Sequence, residues 1–289
     1  MADSPVISVV IPVRNGADTL AQQLDSLAAQ RFDQPFEVLV CDNGSTDGTV
    51  AVAQSYAGRV PGLAVVDASG RAGTAYARNA GVRAARGAVV AFCDADDVVC
   101  PDWVASMVEG ASRGGVVAGV HEEASLNDDV TRSWVPASDT DPLRCHLGFL
   151  PFASGSNLAI RRSLYESLGG CNEDYARSED VDLCWRAILS GAELVVAPGA
   201  VVHYRFRRDL RGAVRQMVAS GLGDAFLYRT FRSAGFVPRR RATVRAWAWI
   251  VVRAPRALLS EEWRGRWLRT VGYRVGRLRG SIRYRVFFP

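Results

Sequence analysis

Val89-Val90-Ala91-Phe92-Cys93-Asp94-Ala95-Asp96-Asp97 is the stretch whose reading decides the architecture of this 289-residue chain. A short, β-branched apolar run that ends abruptly in acids reads as a fully buried strand broken at its carboxyl end. Three carboxylates within four positions repel one another unless a cation sits among them. A hard divalent ion takes oxygen ligands from one or two carboxylates, from substrate phosphates and from water. In open α/β sheets, ligands lie outside the carboxyl ends of the strands. The segment therefore predicts an Mg²⁺ or Mn²⁺ site that holds a diphosphate. Its plain competitor is a loop capping the helix that begins near Pro101 and Trp103.

Upstream, residues 6–12, 36–41 and 63–67 read as further strands, with helices over 18–30, up to Tyr56, and over 73–86. Strand–helix alternation at this spacing predicts a parallel, doubly wound sheet. The first strand–helix turn has no G-x-G-x-x-G, and no G-x-x-x-x-G-K-[ST] occurs anywhere. Those absences argue against a dinucleotide oxidoreductase and against a P-loop NTPase. Polar groups stand at the strand ends instead: Arg14 and Asn15, then Asp42, then the acids of 94–97. Asp42 can accept hydrogen bonds from a ribose or a base edge. It can equally close an Asx-turn or cap a helix.

Downstream, 116–120 is strand-like and the chain is then polar to about Asp141. Residues 146–152 form an apolar loop, 158–161 a short strand, and 163–168 a helical turn stopped by Gly169-Gly170. The second acidic cluster, Glu179-Asp180-Val181-Asp182, opens a helix and puts its charge at the positive end of the dipole. An acid there, facing a cleft, can serve as a general base toward an alcohol, or it can simply stabilise the helix start. Residues 193–197 form a strand. His203, one of three histidines, stands at a strand end as either a structural group or a ligand for an Mn²⁺-like ion.

The composition, 48% hydrophobic and 22% charged, is that of a folded globular protein. No apolar run reaches the roughly 18 residues of a membrane span, and no charged n-region precedes an apolar stretch at the N-terminus. Six scattered cysteines without a CxxC predict free thiols in a reducing, cytoplasmic setting. All 35 basic residues are arginine. Residues 205–289 hold 21 arginines against four acids, +17, while residues 1–204 hold 14 against 26, −12. Such a split marks a boundary with a change of partner.

Taken in order, the motifs are Pro12-Val13-Arg14-Asn15, Asp42-Asn43-Gly44-Ser45-Thr46-Asp47, Ala77-Arg78-Asn79-Ala80-Gly81, Asp94-Ala95-Asp96, Gly155-Ser156-Asn157, Glu179-Asp180-x-x-Leu183-x-x-Arg186 and His203. Over residues 5–205 this set closely resembles the family 2 inverting glycosyltransferases with the GT-A fold. The resemblance implies a metal-dependent enzyme using Mn²⁺ or Mg²⁺ and a nucleotide-sugar donor, UDP-sugar first and GDP or dTDP next. Pro12, Arg14 and Asp42 would line the nucleotide pocket, with Asn15, Arg71 and Asn79 among the donor contacts. Asp94-Ala95-Asp96 looks like the DxD motif, where Asp94 meets the ribose, Asp96 binds the metal and His203 completes the metal site. Asp180 would be the catalytic base and Glu179 its neighbour or acceptor contact. Cys171 departs from the aromatic residue often found there, a matter of packing. The resemblance divides the chain into a catalytic domain over 1–205, with a nucleotide-sugar half (1–115) and an acceptor half (116–205), and an extension over 206–289. A non-catalytic sugar-binding or partner-binding module on the same fold is the reading of another class.

The extension reads as helices over 210–231, 242–259 and 261–279, in which Trp247, Trp249, Trp263 and Trp267 alternate with arginines. Such helices suit an anionic membrane surface, hence a lipid-linked or cell-envelope glycan acceptor at the inner face of the cell membrane. A helical cap with solvated arginines is the alternative. No nucleic-acid recognition motif accompanies the charge.

Overall fold

The computed structural model describes residues 4–135, 143 and 145–289. Its strands are β1 (Ile7–Val13), β2 (Phe36–Asp42), β3 (Ala64–Asp67), β4 (Val89–Cys93), β5 (Val98–Val99), β6 (Val116–Glu122), β7 (Asn157–Arg161) and β8 (Leu194–His203). Its helices are α1 (Leu20–Ala28), α2 (Thr49–Ser55), α3 (Thr74–Ala84), α4 (Trp103–Arg113), α5 (Asp129–Ser133), α6 (Arg162–Ser167), α7 (Glu179–Leu189), α8 (Leu210–Phe231), α9 (Arg240–Arg253) and α10 (Glu261–Tyr284). They form two compact units. One comprises Met1–Glu122, Pro151–Glu173 and Glu179–Tyr204; the other comprises Glu123–Leu150, Asp174–Ser178 and Arg205–Pro289.

In the first unit the eight strands make one sheet in the order β3-β2-β1-β4-β7-β6-β8-β5. β1, β2, β3 and β4 pair in parallel, as strand–helix alternation requires, because a parallel neighbour needs a long crossover. Beyond β4 the sheet departs from the parallel expectation. β7 runs antiparallel to both β4 and β6, β5 runs antiparallel to β8, and only β6–β8 restores parallel pairing. Strand direction there is set by distant register, such as Phe92↔Leu158, which local periodicity does not encode.

Both faces of the sheet are covered, so its strands are apolar almost throughout. Ile7, Val9 and Ile11 join Leu20, Leu24 and Leu27 of α1 and Trp103 and Met107 of α4 on one face. Val10, Leu39 and Phe92 join Ala77 of α3, Tyr165 of α6 and Leu183 of α7 on the other. Asn157, fully buried, closes the irregularity between Ala118 and Val120. Its Nδ2 donates to the carbonyls of Val120 (2.9 Å) and Ala200 (3.0 Å), and its Oδ1 accepts from Trp103 Nε1 (2.8 Å).

In the second unit α8 and α10 cross closely along a seam of small residues. A Cβ added at Gly276 would run into the Val218 carbonyl, and one at Gly221 into the Tyr273 carbonyl. Glycine at these positions lets the two backbones come into direct contact, with no side chain between them. Exposed apolar residues of this unit stand on and just after α9, at Val244, Val251, Val252, Leu258 and Leu259, and also at Val237, Ile282 and Phe287. Two of the tryptophans of this unit, Trp263 and Trp267, are engaged internally. Trp263 stacks with Arg253, Arg256 and Arg266, and Trp267 Nε1 donates to the Ile250 carbonyl at 2.8 Å.

Candidate active site

The carboxyl ends of β1 and β2 are stapled together. Asn15 adopts φ +54°; its N–H donates to Ser45 Oγ (2.9 Å) and its Oδ1 accepts from the Thr46 N–H (2.8 Å). Gly16 and Ala17 add bonds to Thr49 Oγ1 and Asp47 Oδ2. Arg14 is exposed beside this staple, and Pro12 is half-buried at the strand end. Asp42, also half-buried, accepts the Ser45 N–H on both oxygens, at 3.2 and 3.3 Å. It therefore makes the local turn read from the sequence as one of its two options. A carboxylate offers about four lone-pair sites, so that turn leaves capacity for a ligand. Asn43, buried, holds the next loop: its Nδ2 donates to the Ala68 and Arg71 carbonyls, and its Oδ1 accepts from the Gly73 N–H.

Arg71, on that loop, is exposed and pairs with Glu173 at 3.2 Å. Asn79 faces the same region. Its Nδ2 donates to the Cys171 carbonyl and to Glu173, and its Oδ1 accepts from the Tyr165 hydroxyl and the Cys171 N–H. Its amide is thus occupied in anchoring the loop after Gly170.

Arg78, one residue earlier on α3, is the group the sequence reading passed over. It is 4% exposed, and its guanidinium donates to Glu179 at 2.7 Å and to Asp94 at 3.4 Å. It lies against Gly155, where an added Cβ would meet Nη1 and Nη2 at 2.5 Å. Burial works against its charge, but the Glu179 and Asp94 carboxylates outweigh that and hold it firmly protonated. One buried cation therefore joins the acid at the exit of β4 to the acids that open α7.

The acidic loop itself is fastened by α1. Gln23, fully buried, donates from Nε2 to the Asp94 carbonyl (3.1 Å) and accepts from the Val99 N–H. Ala95 is buried between Asp94 and Asp96, and the loop at Gly16 comes close to it. Asp94, Asp96 and Asp97 each offer a carboxylate oxygen, and these atoms lie within 4.8 Å of one another. An all-oxygen set of this spacing fits a hard divalent cation. His203 stands outside that trio, although its ladder partner Val98 directly follows Asp97. Its Nδ1 bonds Glu122 Oε2 at 2.9 Å, the carboxylate–histidine arrangement that orients Nε2 toward a metal in known sites.

Asp180, half-buried, opens α7 behind Ser178, which holds φ +74°. Its Oδ2 accepts the Gly155 N–H at 2.8 Å and its Oδ1 the Val181 N–H at 2.9 Å. His121 on β6 completes the group. Its Nε2 bonds Ser156 Oγ at 3.0 Å. Burial pushes its pKa down to about 4 against the opposing pull of Asp94 and Asp180, so the ring is neutral near pH 7. The same helix uses Asp182 structurally: it pairs with Arg186, which donates to the Leu168 and Gly170 carbonyls.

Residues 8–169 match the profile of glycosyl transferase family 2, and residues 89–271 match that of glycosyl transferase family group 2. The chain belongs to glycosyl transferase family 2. Among relatives of this family, glycosyltransferase AglE of Haloferax volcanii is 29% identical over 67% of this chain and 64% of its own. The mannosyltransferase PcManGT from Pyrobaculum calidifontis, solved in complex with GDP-Man and Mn²⁺, aligns with a TM-score of 0.66 at 20% identity, covering 96% of this chain and 88% of its own. S. aureus TarS 1–349, solved in complex with UDP-GlcNAc, aligns with a TM-score of 0.57 at 21% identity over 98% and 93%. These likenesses establish the fold of the family 2 chain as GT-A, a mixed sheet flanked by helices. The chain spans between 26% and 64% of the length of the first curated relatives it matches.

Proposed function

We propose that this chain transfers a sugar from a nucleotide-sugar to a hydroxyl acceptor by a single inverting displacement. The observation that carries the reading is Arg78, which ties Asp94 of the β4 exit to Glu179 and lies on Gly155, whose N–H holds Asp180. Pro12, Arg14, Asn15 and Asp42 would face the nucleotide, with Arg71, Asn79 and Ala95 shaping the same end. Residues 1–115 would handle the donor and 116–205 the acceptor. Asp94, Asp96 and His203 would hold Mn²⁺ or Mg²⁺, and a bound divalent ion would supply Lewis-acid neutralisation of the diphosphate. Asp180 would take the proton of the attacking hydroxyl, with Glu179 holding Arg78 beside it.

UDP is the nucleotide we assign. Calorimetric titration with UDP, GDP and dTDP, each with Mn²⁺ and with EDTA, tests this on wild type and Asp96→Ala. Metal-dependent binding of UDP, lost in the variant, is the expected result. Binding of GDP alone would move the donor class, and binding of no nucleotide would overturn the enzymatic reading in favour of a binding module.

The acceptor we assign is a lipid-linked or envelope glycan, reached from the inner face of the membrane. Among the described residues no helix is long and apolar enough to cross a membrane. Support for surface binding comes from the exposed Val251, Val252, Leu258 and Leu259, between 70% and 82% accessible, with exposed Arg240, Arg241, Arg245 and Arg256 nearby. The full chain should co-sediment with phosphatidylglycerol vesicles at low salt and be released at high salt. The triple change Val252→Glu, Leu258→Glu, Leu259→Glu should abolish the co-sedimentation. A wild-type chain that stays in the supernatant at low salt would rule the surface out.

A further inference from the structure

The second unit contains a pocket of about 190 Å³ that the sugar-transfer reading does not use. Its cationic walls are Arg239, Arg274 and Arg277, and Leu147, Phe236 and Phe288 supply its apolar ones. Arg274 and Arg277, three apart on α10, are 8% and 5% exposed. Buried arginines normally have carboxylate partners. Here the nearby carboxylate is Asp224 of α8, itself buried and shared with two other groups. Oδ1 bonds His146 Nε2 at 3.0 Å, and Oδ2 accepts the Tyr273 hydroxyl.

Neither arginine makes an ion pair with a side-chain carboxylate among the described residues. Arg274 reaches the Pro289 oxygen at 3.3 Å, and its buried Nε has no hydrogen-bond partner among the described residues. Arg277 donates from Nε to the Phe288 carbonyl at 3.2 Å and lies 3.8 Å over the Phe288 ring. Burial, with Arg277 close by, pulls the Arg274 pKa down. Arg239 rests directly on Gly148, where any side chain would displace its guanidinium, and it has no ion pair among the described residues. Three guanidinium groups thus share this pocket with one side-chain carboxylate.

We propose that this pocket is a binding site for a phosphate group. Guanidinium forks match phosphate oxygens in paired hydrogen bonds, which is why arginine recurs in phosphate recognition. Small-molecule sites run to roughly 300–1,000 Å³, so a pocket of this size takes an oxyanion head group and not a whole nucleotide-sugar. The source is either a free phosphate or the head group of a lipid, whose first carbons would rest on Leu147, Phe236 and Phe288.

The test is calorimetry on the full chain in EDTA, which disables a metal-bridged diphosphate at the first unit. The probes are inorganic phosphate, pyrophosphate and a short-chain, water-soluble phosphatidic acid. Saturable binding is expected, unchanged in Asp96→Ala, weakened about tenfold in Arg239→Ala, and lost in Arg274→Gln. Phosphatidic acid binding at least about tenfold tighter than pyrophosphate would assign the lipid source, and equal affinities the free one. Arg239 is exposed, so its variant should fold even if Arg274→Gln does not. No binding of any probe, or undiminished affinity in Arg239→Ala, would overturn the site.

Discussion

Asp180→Asn should cut kcat by about 10²–10⁴-fold, the usual worth of a positioned general base, and leave the affinity for the nucleotide unchanged. Asparagine is nearly isosteric with aspartate but has no basicity, so it would remove the proposed proton acceptance while leaving the local shape unchanged. The hydrogen bonds around Asp180 refine the expectation. Both carboxylate oxygens receive backbone N–H groups, from Gly155 and Val181, and this fixes the side chain beside the β4 acids. An asparagine can satisfy one of those donors, and its own NH₂ must face the other. Stability should therefore also fall, by about 1–3 kcal/mol for one unmet donor. Steady-state kinetics, a melting curve and nucleotide titration on the same preparation separate the two effects. A variant that binds nucleotide and still transfers sugar at the wild-type rate would remove Asp180 from the role of base.

How far the sequence foretold this arrangement depended on where the deciding contacts came from. The first four strands and α8 were legible because their signals are local: β-branched runs that end in polar turns, and apolar residues at helical spacing from Leu210 to Phe231. β5 was not, since two residues gain strand geometry only by pairing with Val202 and His203. Nor was α5, a five-residue helix in a polar stretch. Its one signal is the cap at Asp128, which accepts the Thr131 N–H at 2.7 Å. At the site, the acids stood out because three carboxylates crowd one strand exit. Arg78 sat within a quoted motif yet went unread, since an arginine among Ala75, Ala77, Ala80 and Gly81 gives no local sign that it is buried. Its partners lie 16 and 101 residues away. The clue that could have found it is charge balance: the acids of 94–97 and 179–182 require a cation between them, and α3 offers one on a helix of small side chains. Asn79, read as a donor contact, has its amide engaged by Tyr165, Cys171 and Glu173, partners that no spacing rule exposes.

Arg78→Met follows from the same balance and should be the most damaging single change to the first unit. Methionine keeps an unbranched apolar stem but removes the guanidinium, whose Cζ lies 5.6 Å from the Phe92 ring centroid. Glu179, 8% exposed at its side chain, would then lose the guanidinium that it shares with Asp94. Breaking a buried pair by deleting one partner costs about 3–5 kcal/mol, mostly the price of the stranded charge. The pH dependence should identify that cause. In the variant, burial disfavours the ionised form of a carboxylate that has lost its guanidinium partner, so the folded state should bind a proton more readily than the unfolded chain. Stability of the variant relative to wild type should therefore recover as pH falls into the carboxylate range and worsen as pH rises through it. Adding Glu179→Gln should restore much of the loss at neutral pH, because the stranded charge is gone. Activity should stay low in both variants. Gly155 lies against the missing guanidinium, and its N–H sets Asp180, so a shift of about 1 Å there is enough for a loss near 10²-fold. A single variant that melts within about 1 kcal/mol of wild type across this pH range would mean that water or another side chain compensates the acids, and the pivot assigned to Arg78 would fall with it.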